Sequence, residues 1–314
     1  MKRKPRKLKI IDKDKSYPLT DSVLYKLKSK GRLGKLLFSS PSELKALCDD
    51  EHYRCFTDFS GGKPRAIQTP RLALDRVHTR VASLLSRIET FEGLHSGRKG
   101  RSNISNAKAH LGPDRRVITV DIRGFFQSTT RAMVFDFFHR QAKCEPDVAD
   151  LLSRVLTCNG HVPTGSRVSM PLAYFANQKM FDEMAALASE AGATMTIYVD
   201  DLTFSGKALQ RSFIAKLQRI VAKHGHRLHQ GKTRFYDSSD VKLVTGAAIV
   251  GGKLAPRNKH LADLNRYMQE WQSVTDRKAS EDLARKVYGR LNFMAAIDRT
   301  YRDRARSFRN AAFR

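Results

Sequence analysis

Two short apolar stretches that run straight into carboxylates constrain this chain more than any other feature. Residues 117–122 read VITVDI, a β-branched strand with Asp121 at its end. Residues 194–206 read TMTIYVDDLTFSG, two short strands meeting at Asp200 and Asp201. β-branched and aromatic residues suit a pleated, half-buried surface, so each acid sits beside a segment that a core would claim. Such a carboxylate is costly unless something pairs with it. A divalent cation is the natural partner, and all-oxygen ligands suit magnesium. An Asp-Asp turn is also ordinary turn chemistry. The apolar flanks, the upstream Asp121 and the positive balance of the chain favour the metal. Two ions about 3.5–4 Å apart can activate an attacking hydroxyl and stabilise a leaving pyrophosphate. That requires acids from separate strands to converge, as one sheet allows.

The 314 residues carry 58 Lys+Arg against 31 Asp+Glu, a formal charge of +27. An excess this large points to a polyanion, most simply nucleic acid, over a protein merely kept soluble by its charge. Basic clusters are densest at the two ends, MKRKPRKLK and RTYRDRARSFRNAAFR. The length and 41% hydrophobic content suit one compact enzyme or two small domains. Cys48, Cys55, Cys144 and Cys158 have no CxxC spacing, which argues against a disulfide framework or a zinc site. No apolar run is long enough to span a bilayer. The basic start leads into IIDKDKSYP and not into a signal-peptide core. A cytoplasmic protein without a membrane partner is expected.

Along the chain, residues 1–16 are basic, Pro-interrupted and expected to be mobile before a ligand is met. SPSELKALCDD opens with an N-cap pattern. YRCFTDF, SGGK and PRAIQTP make a hairpin around a Gly-Gly turn. LALDRVHTRVASLLSRI has helical spacing, and EGLHSGRKGRS is a basic loop. Helices are expected at roughly 130–140 and 147–157, from about Pro171 to Ala191, at 207–224, and over the last 55 or so residues. Strands are expected near 233–236 and 242–254. No GxGxxG or GxxxxGK[ST] occurs, so dinucleotide-binding and P-loop folds lack their signatures. An antiparallel sheet with helices on one face, an α+β class, fits better.

These motifs, in this order, resemble those of reverse transcriptases. IYVDDLTFS is similar to the Tyr-x-Asp-Asp hairpin, VITVDIRGFFQS to the first aspartate motif, and PRAIQTP to the fingers hairpin. HVPTGSRVSMPLAYFAN resembles the loop and helix usually written PQGxxxSPxLxN, LHQGKTRF the lysine-bearing segment, and YGRLNFMAAID a thumb helix. Asn106-Ala107-x-x-His110 and Val244-Thr245-Gly246 resemble the NAxxH and VTG signatures of bacterial retron reverse transcriptases, whose length without an appended domain this chain also suits. It departs from the pattern at Thr164, where Gln is common, at Arg167 and Met170, where prolines are common, and at Tyr174, where Asn is common. Those departures bear on contacts to the incoming sugar.

The resemblance implies a right-hand polymerase. Residues 1–112 would form the N-terminal segment and fingers. Residues 113–252 would form a ferredoxin-like antiparallel palm, with a fingers-like helical insertion at about 128–165, and residues 253–314 a helical basic thumb. It implies catalytic, metal-holding roles for Asp121, Asp200 and Asp201, with two Mg2+ ions for which Mn2+ can substitute. Nucleotide contacts fall to Lys63, Arg65, Phe126, Gly165 and Lys232. A bulky ring at Phe126 would exclude a 2′-hydroxyl, whereas one of Phe125 and Phe126 should be a core aromatic. Lys63 and Arg65 would reach the triphosphate, if they are not simply a solvated hairpin. Lys232 would act as a general acid toward pyrophosphate, or as a plain phosphate contact. Asn106 and His110, with Arg285 and Arg290 of the thumb, would bind RNA. The alternatives are a capping Asn, a structural His and an exposed helical face. HxHxxH at His224, His226 and His229 has no carboxylate or Cys beside it and reads as a loop or strand edge, not as a metal site. Implied partners are a structured non-coding RNA serving as template and primer, dNTPs, an RNA–DNA hybrid product and a separate effector protein. The other readings are a group II intron-like or diversity-generating reverse transcriptase, or a catalytically silent RNA-binding protein on the same scaffold.

Overall fold

The computed structural model describes residues 8–60 and 62–313. The first seven residues of the basic N-terminal stretch, Gly61 of the Gly-Gly turn and Arg314 lie outside the described residues. The chain divides into two compact units, each discontinuous in sequence. One comprises the described part of Met1–Lys99 with Asp121–Ala186 and Ala215–Gln230. The other comprises Gly100–Val120, Leu187–Ile214 and Gly231–Arg314.

In the first unit, β1 (Tyr53–Asp58) and β2 (Arg65–Pro70) pair antiparallel, with Tyr53 opposite Pro70 and Asp58 opposite Arg65. This is the expected hairpin. Helix Pro41–Ala46 starts where the sequence signals it. Ser40 and Glu43 cap each other's backbone N–H groups, and Pro41 occupies a position that needs no donor. Helix Leu72–Leu85 buries Leu74, Val77, Val81 and Leu84 along one face. Arg131–Asp136 runs on into a wider turn at Phe137–Gln141, and Pro146–Val155 follows. The helix expected from Pro171 to Ala191 is two helices, Ser169–Ala176 and Gln178–Glu190. Asn177 makes the break: its Nδ2 donates back to Ala173 O at 2.9 Å and across to Thr129 Oγ1 at 3.0 Å. An aromatic core forms around Phe137, Phe175, Tyr174 and Phe181, with ring centroids 5.4 Å and 5.6 Å apart in the two stacked pairs.

The second unit holds a four-stranded sheet in the order β4-β5-β3-β6. Its strands are β3 (Arg116–Asp121), β4 (Thr194–Tyr198), β5 (Asp201–Gly206) and β6 (Arg234–Tyr236). The boundary between units falls between Val120 and Asp121, so the last residue of β3 is assigned to the other unit. β4 pairs with β5 and β3 with β6, both antiparallel. The stretch expected as strand near 242–254 is three strands: β7 (Lys242–Val244), β8 (Ala247–Val250) and β9 (Lys253–Pro256). Two-residue turns join them, Thr245-Gly246 and Gly251-Gly252, and all four turn residues have positive φ. That is the geometry which matches the twist of paired strands. Helices Asn258–Ser273, Arg277–Ile297 and Tyr301–Ala312 close the chain around their own core of Leu264, Val287, Leu291, Met294 and Phe308. The α+β class expected of a right-hand polymerase is the class observed. No helix among the described residues is long and apolar enough to cross a membrane.

Candidate active site

The Asp-Asp pair sits at the end of the β4–β5 hairpin. Tyr198 and Asp201 are the last paired residues, which leaves Val199 and Asp200 as the turn. Val199 has φ +62°, a conformation that Gly adopts freely and that a β-branched residue takes only under strain. Strain of this kind costs about 1–3 kcal/mol and collects at functional sites.

The hairpin's two faces differ in chemistry. Met195, Ile197, Leu202 and Phe204 point one way and are buried. Thr194, Thr196, Thr203 and Ser205 share the other face with Asp201, because Thr196 pairs with Thr203 and Thr194 with Ser205. Thr196, Thr203 and Ser205 are each at most 1% exposed, so their hydroxyls need internal partners. His110 serves two of them: Nδ1 lies 2.8 Å from Ser205 Oγ and Nε2 lies 2.7 Å from Thr196 Oγ1. Arg115 donates to Ser205 Oγ at 3.0 Å and to Thr194 Oγ1 at 3.3 Å.

A cleft of about 180 Å³ opens on this unit, lined by Asp201, Lys232 and Arg257 together with Thr119, Thr203 and Thr245. It joins one carboxylate and two cations, a set able to meet a phosphate chain through charge. The motifs that single out site residues in the sequence do not reach Arg257, and they give the threonines no role of their own. The period-2 hydroxyls of TMTIY and LTFS were the readable signal. Lys232 ends a short turn, Gln230–Lys232, and is exposed.

Asp121 closes β3, the neighbour of β5 in the sheet, and is 5% exposed. Its carbonyl accepts from His229 N at 2.7 Å, and Arg123 N donates to Arg227 O at 2.8 Å, so the chain just beyond β3 is zipped to residues 227–229. Among the described residues, no three His, Cys, Asp or Glu side chains are gathered tightly enough to form a ready-made metal cage. The donor chemistry of Asp121, Asp200 and Asp201, all carboxylate oxygen, suits a hard divalent cation.

In the other unit, Phe125 is buried and Phe126 half-buried, ring centroids 5.9 Å apart. Phe125 is thus the core aromatic of the pair. It packs beside His226, whose Nε2 donates to Asn177 Oδ1 at 2.6 Å while Nδ1 lies 2.7 Å from Ser128 Oγ. Burial holds the His226 imidazole down at about 4, with His224 adding to the effect. The three histidines of HxHxxH go separate ways. His224 pairs with Glu183 at 3.1 Å, His226 joins the Asn177 network, and His229 N binds the Asp121 carbonyl.

Lys63 and Arg65 are exposed on the β1–β2 hairpin. Gly165 packs onto β2: its N–H donates to Gln68 O at 3.1 Å, and a Cβ there would lie 2.8 Å from that oxygen. Thr164, the residue in place of Gln, pins the same loop by donating to Ala66 O at 2.7 Å. Arg167 forms an ion pair with Asp75. Tyr174 is a core residue whose hydroxyl accepts from Phe91 N at 2.9 Å, and burial pushes its phenol up to about 12. These departures serve packing within their own unit.

The RNA-contact expectation for Asn106 and His110 needs correction. Asn106 and His110 are 0% and 1% exposed, with side chains bonded to Thr245 and to the hairpin hydroxyls, so neither reaches a surface ligand. Arg290 donates to Asp263 at 3.0 Å and lies 2.9 Å from His260 Nδ1, a tie between helices. Arg285 is exposed and bonded to its own helix neighbour Asp282 at 3.1 Å.

No protein-family model matches the chain. Over 240 residues, 66% of its length, the chain is 30% identical to the retron Mx162 reverse transcriptase of Myxococcus xanthus. It is 27% identical over 251 residues to the retron Se72 reverse transcriptase of Salmonella heidelberg and 24% identical over 255 residues to the retron Ec86 reverse transcriptase of Escherichia coli. The chain is homologous to the retron reverse transcriptases. It spans 49% of the length of the first of these relatives, 65% of the second and 78% of the third. Among solved structures, a foamy viral protease-reverse transcriptase in complex with double-stranded DNA aligns at TM-score 0.43 and 14% identity, covering 77% of this chain and 36% of that one. Apo telomerase from Candida tropicalis aligns at TM-score 0.49 and 10% identity, covering 76% of this chain and 52% of that one. The family expected from the NAxxH and VTG signatures is the family of its curated relatives.

Proposed function

We propose that the chain is an RNA-directed DNA polymerase of the retron kind, adding dNTPs to a growing 3′ end on an RNA template. One observation carries this reading: a chain similar in sequence to retron reverse transcriptases keeps the three motif carboxylates, and one of them, Asp201, lines a cleft together with the cations Lys232 and Arg257. Asp121 and Asp200 are the residues to hold Mg2+, with Asp201 supporting. When bound, a pair of such ions lowers the pKa of the attacking hydroxyl and offsets charge on the leaving pyrophosphate; Mn2+ substitutes. Lys63 and Arg65 grip the triphosphate through charge-assisted hydrogen bonds. Gly165 gives the loop beside β2 its close approach, and Phe126 closes the space a 2′-hydroxyl needs. Lys232 protonates or neutralises pyrophosphate.

The finer reading follows the resemblance. The template is a dedicated structured RNA. Synthesis starts from the 2′-hydroxyl of a guanosine in it and leaves single-stranded DNA (msDNA) joined to RNA through a branch. The product serves anti-phage defence with a separate effector protein. Residues 1–112 correspond to an N-terminal segment and fingers, 113–252 to a palm with a fingers-like helical insertion at about 128–165, and 253–314 to the thumb.

The test is to sequence the nucleic acids that copurify with the full chain from cells carrying its native locus. A 2′-branched RNA–DNA species is the expected result. DNA synthesis on supplied template–primers without any branched species would remove the retron reading and keep the polymerase. RNA binding without any synthesis would leave the silent scaffold.

A further inference from the structure

The two short signatures meet inside one unit. Asn103 Nδ2 donates to Thr245 O at 2.9 Å, Thr245 Oγ1 donates to Asn103 O at 2.6 Å, and Asn106 Nδ2 donates to Thr245 Oγ1 at 3.4 Å. One turn further along, His110 bridges Thr196 and Ser205 on the two strands of the Asp-Asp hairpin. Segment 103–110 therefore touches the β7–β8 turn at one end and the underside of the hairpin at the other. Ile104 and Ala107 pack against Val117, Val244, Ala247 and Ile249 between those ends.

Two costs mark the arrangement. Thr245 has φ +40°, a conformation that turns of this type give to Gly, Asn or Asp. Asn106 Oδ1 is buried and has no hydrogen-bond partner among the described residues, an expense an apolar side chain would avoid. Both residues nevertheless form the polar link, and Thr245 with Gly246 also walls the cleft that contains Asp201 and Lys232.

We propose that Asn106, His110 and Thr245 are positioning residues: one buried clasp that fixes the Asp200–Asp201 hairpin against the Thr245–Gly246 wall of the cleft. The clasp acts through the carboxylates and the cleft and makes no contact with RNA. It rests on the polymerase reading for its catalytic consequence, but not for its effect on metal affinity.

The experiment uses the full chain, three clasp variants and an Asp200→Asn control. Thr245→Val keeps the shape and removes the hydroxyl, Thr245→Ser returns it, and His110→Gln replaces the bridging ring with a shorter amide. Five quantities are read, the first four below each variant's thermal midpoint. They are Mn2+ affinity from the free-ion EPR signal, kcat and KM for dNTP on a supplied RNA template with DNA primer, affinity for a structured RNA, and the midpoint itself. Asp200→Asn identifies which Mn2+ binding belongs to the hairpin. Groups that orient metal ligands from behind typically carry about 10–100-fold in affinity or activity. Thr245→Val is therefore expected to weaken hairpin Mn2+ binding and lower kcat by about tenfold each, with RNA affinity unchanged, and Thr245→Ser to restore both. If Thr245→Val does not fold, His110→Gln carries the same comparison. RNA affinity lost while Mn2+ affinity and kcat hold would overturn the clasp in favour of direct RNA contact. Losses that Thr245→Ser fails to rescue would reduce it to packing. If the native chain makes no DNA yet its Mn2+ affinity depends on Thr245, the polymerase reading fails and the clasp stands.

Discussion

Phe125 and Phe126 are adjacent in sequence and placed to do different things. Phe125 is 4% exposed and packs on Phe181 and His226, so shrinking it would open a cavity. Phe126 is half-buried and free to shape a binding surface. Phe126→Val is therefore expected to admit ribonucleotides without unfolding the protein. Steady-state selectivity for dNTP over rNTP should fall at least about tenfold, about 1.4 kcal/mol of differential transition-state binding. Unchanged selectivity would assign the gate to another side chain. Residue type was legible here, and so was the inward turn of one ring of the pair. Exposure was not legible at Asn106 or His110. Polar and basic side chains in a chain of charge +27 look like ligands for RNA until burial and partners are known. The single signal against that reading was the run of alternating hydroxyls in the hairpin, which requires a buried donor or acceptor opposite it.

At the scale of elements, the node of Asn177, His226 and Ser128 joins the helix break, the short helix Phe125–Ser128 and the segment after helix Ser212–Lys223. Asn177 Nδ2 donates to the acceptor-only Ala173 carbonyl, so Oδ1 faces His226, Nε2 carries the proton and Nδ1 accepts from the Ser128 hydroxyl. A neutral imidazole completes this network, as it does for the buried His78, also held down at about 4 by burial, between Ser166 Oγ at 2.6 Å and Val155 O at 2.8 Å. Both folded-state pKa values lie below the ordinary histidine value of about 6.5. Between those limits the unfolded chain binds more protons than the folded one, so the contribution is complete above about pH 6.5 and is lost as pH falls toward 4. Thermal midpoints measured from pH 7 to 4.5 should fall over that window. His226→Gln should fall less steeply, because one of the two titrating groups is gone; an equal slope would remove His226 from the linkage.

Elements of strong pattern were legible in the sequence. The β1–β2 hairpin, helix Leu72–Leu85, β3 and the Asp-Asp hairpin all lie where periodicity and turn residues place them. The breaks were harder to read. Asn177 ends a helix by bonding to a carbonyl four residues back, which no periodicity records, and Thr245 turns a strand at a positive φ that its side chain disfavours. In both places a tertiary partner outweighs local preference.

Over the whole molecule, the charge of +27 makes salt-sensitive binding to nucleic acid an expectation of composition alone. The structure separates the arginines that can contribute. Arg285→Ala removes an exposed guanidinium and is expected to lower the slope of log affinity against log salt by about 0.7–0.9 if it meets a phosphate, with little change in thermal midpoint. Arg290→Ala removes the partner of Asp263, whose side chain is 18% exposed, and is expected to destabilise by about 1–3 kcal/mol. Binding titrations at several salt concentrations beside thermal melts check both. An Arg290→Ala protein as stable as the parent would contradict the tie between helices.

The most direct test of RNA-directed DNA synthesis at these carboxylates is primer extension with dNTPs and Mg2+ on an RNA template, comparing the full chain with its Asp200→Asn variant. An amide cannot supply the anionic ligand that the reaction requires, while RNA binding draws on lysines and arginines elsewhere. The expected result is extension by the parent and none by the variant, with the two binding RNA alike. A folded Asp200→Asn protein that extends the primer at the parent's rate would contradict it.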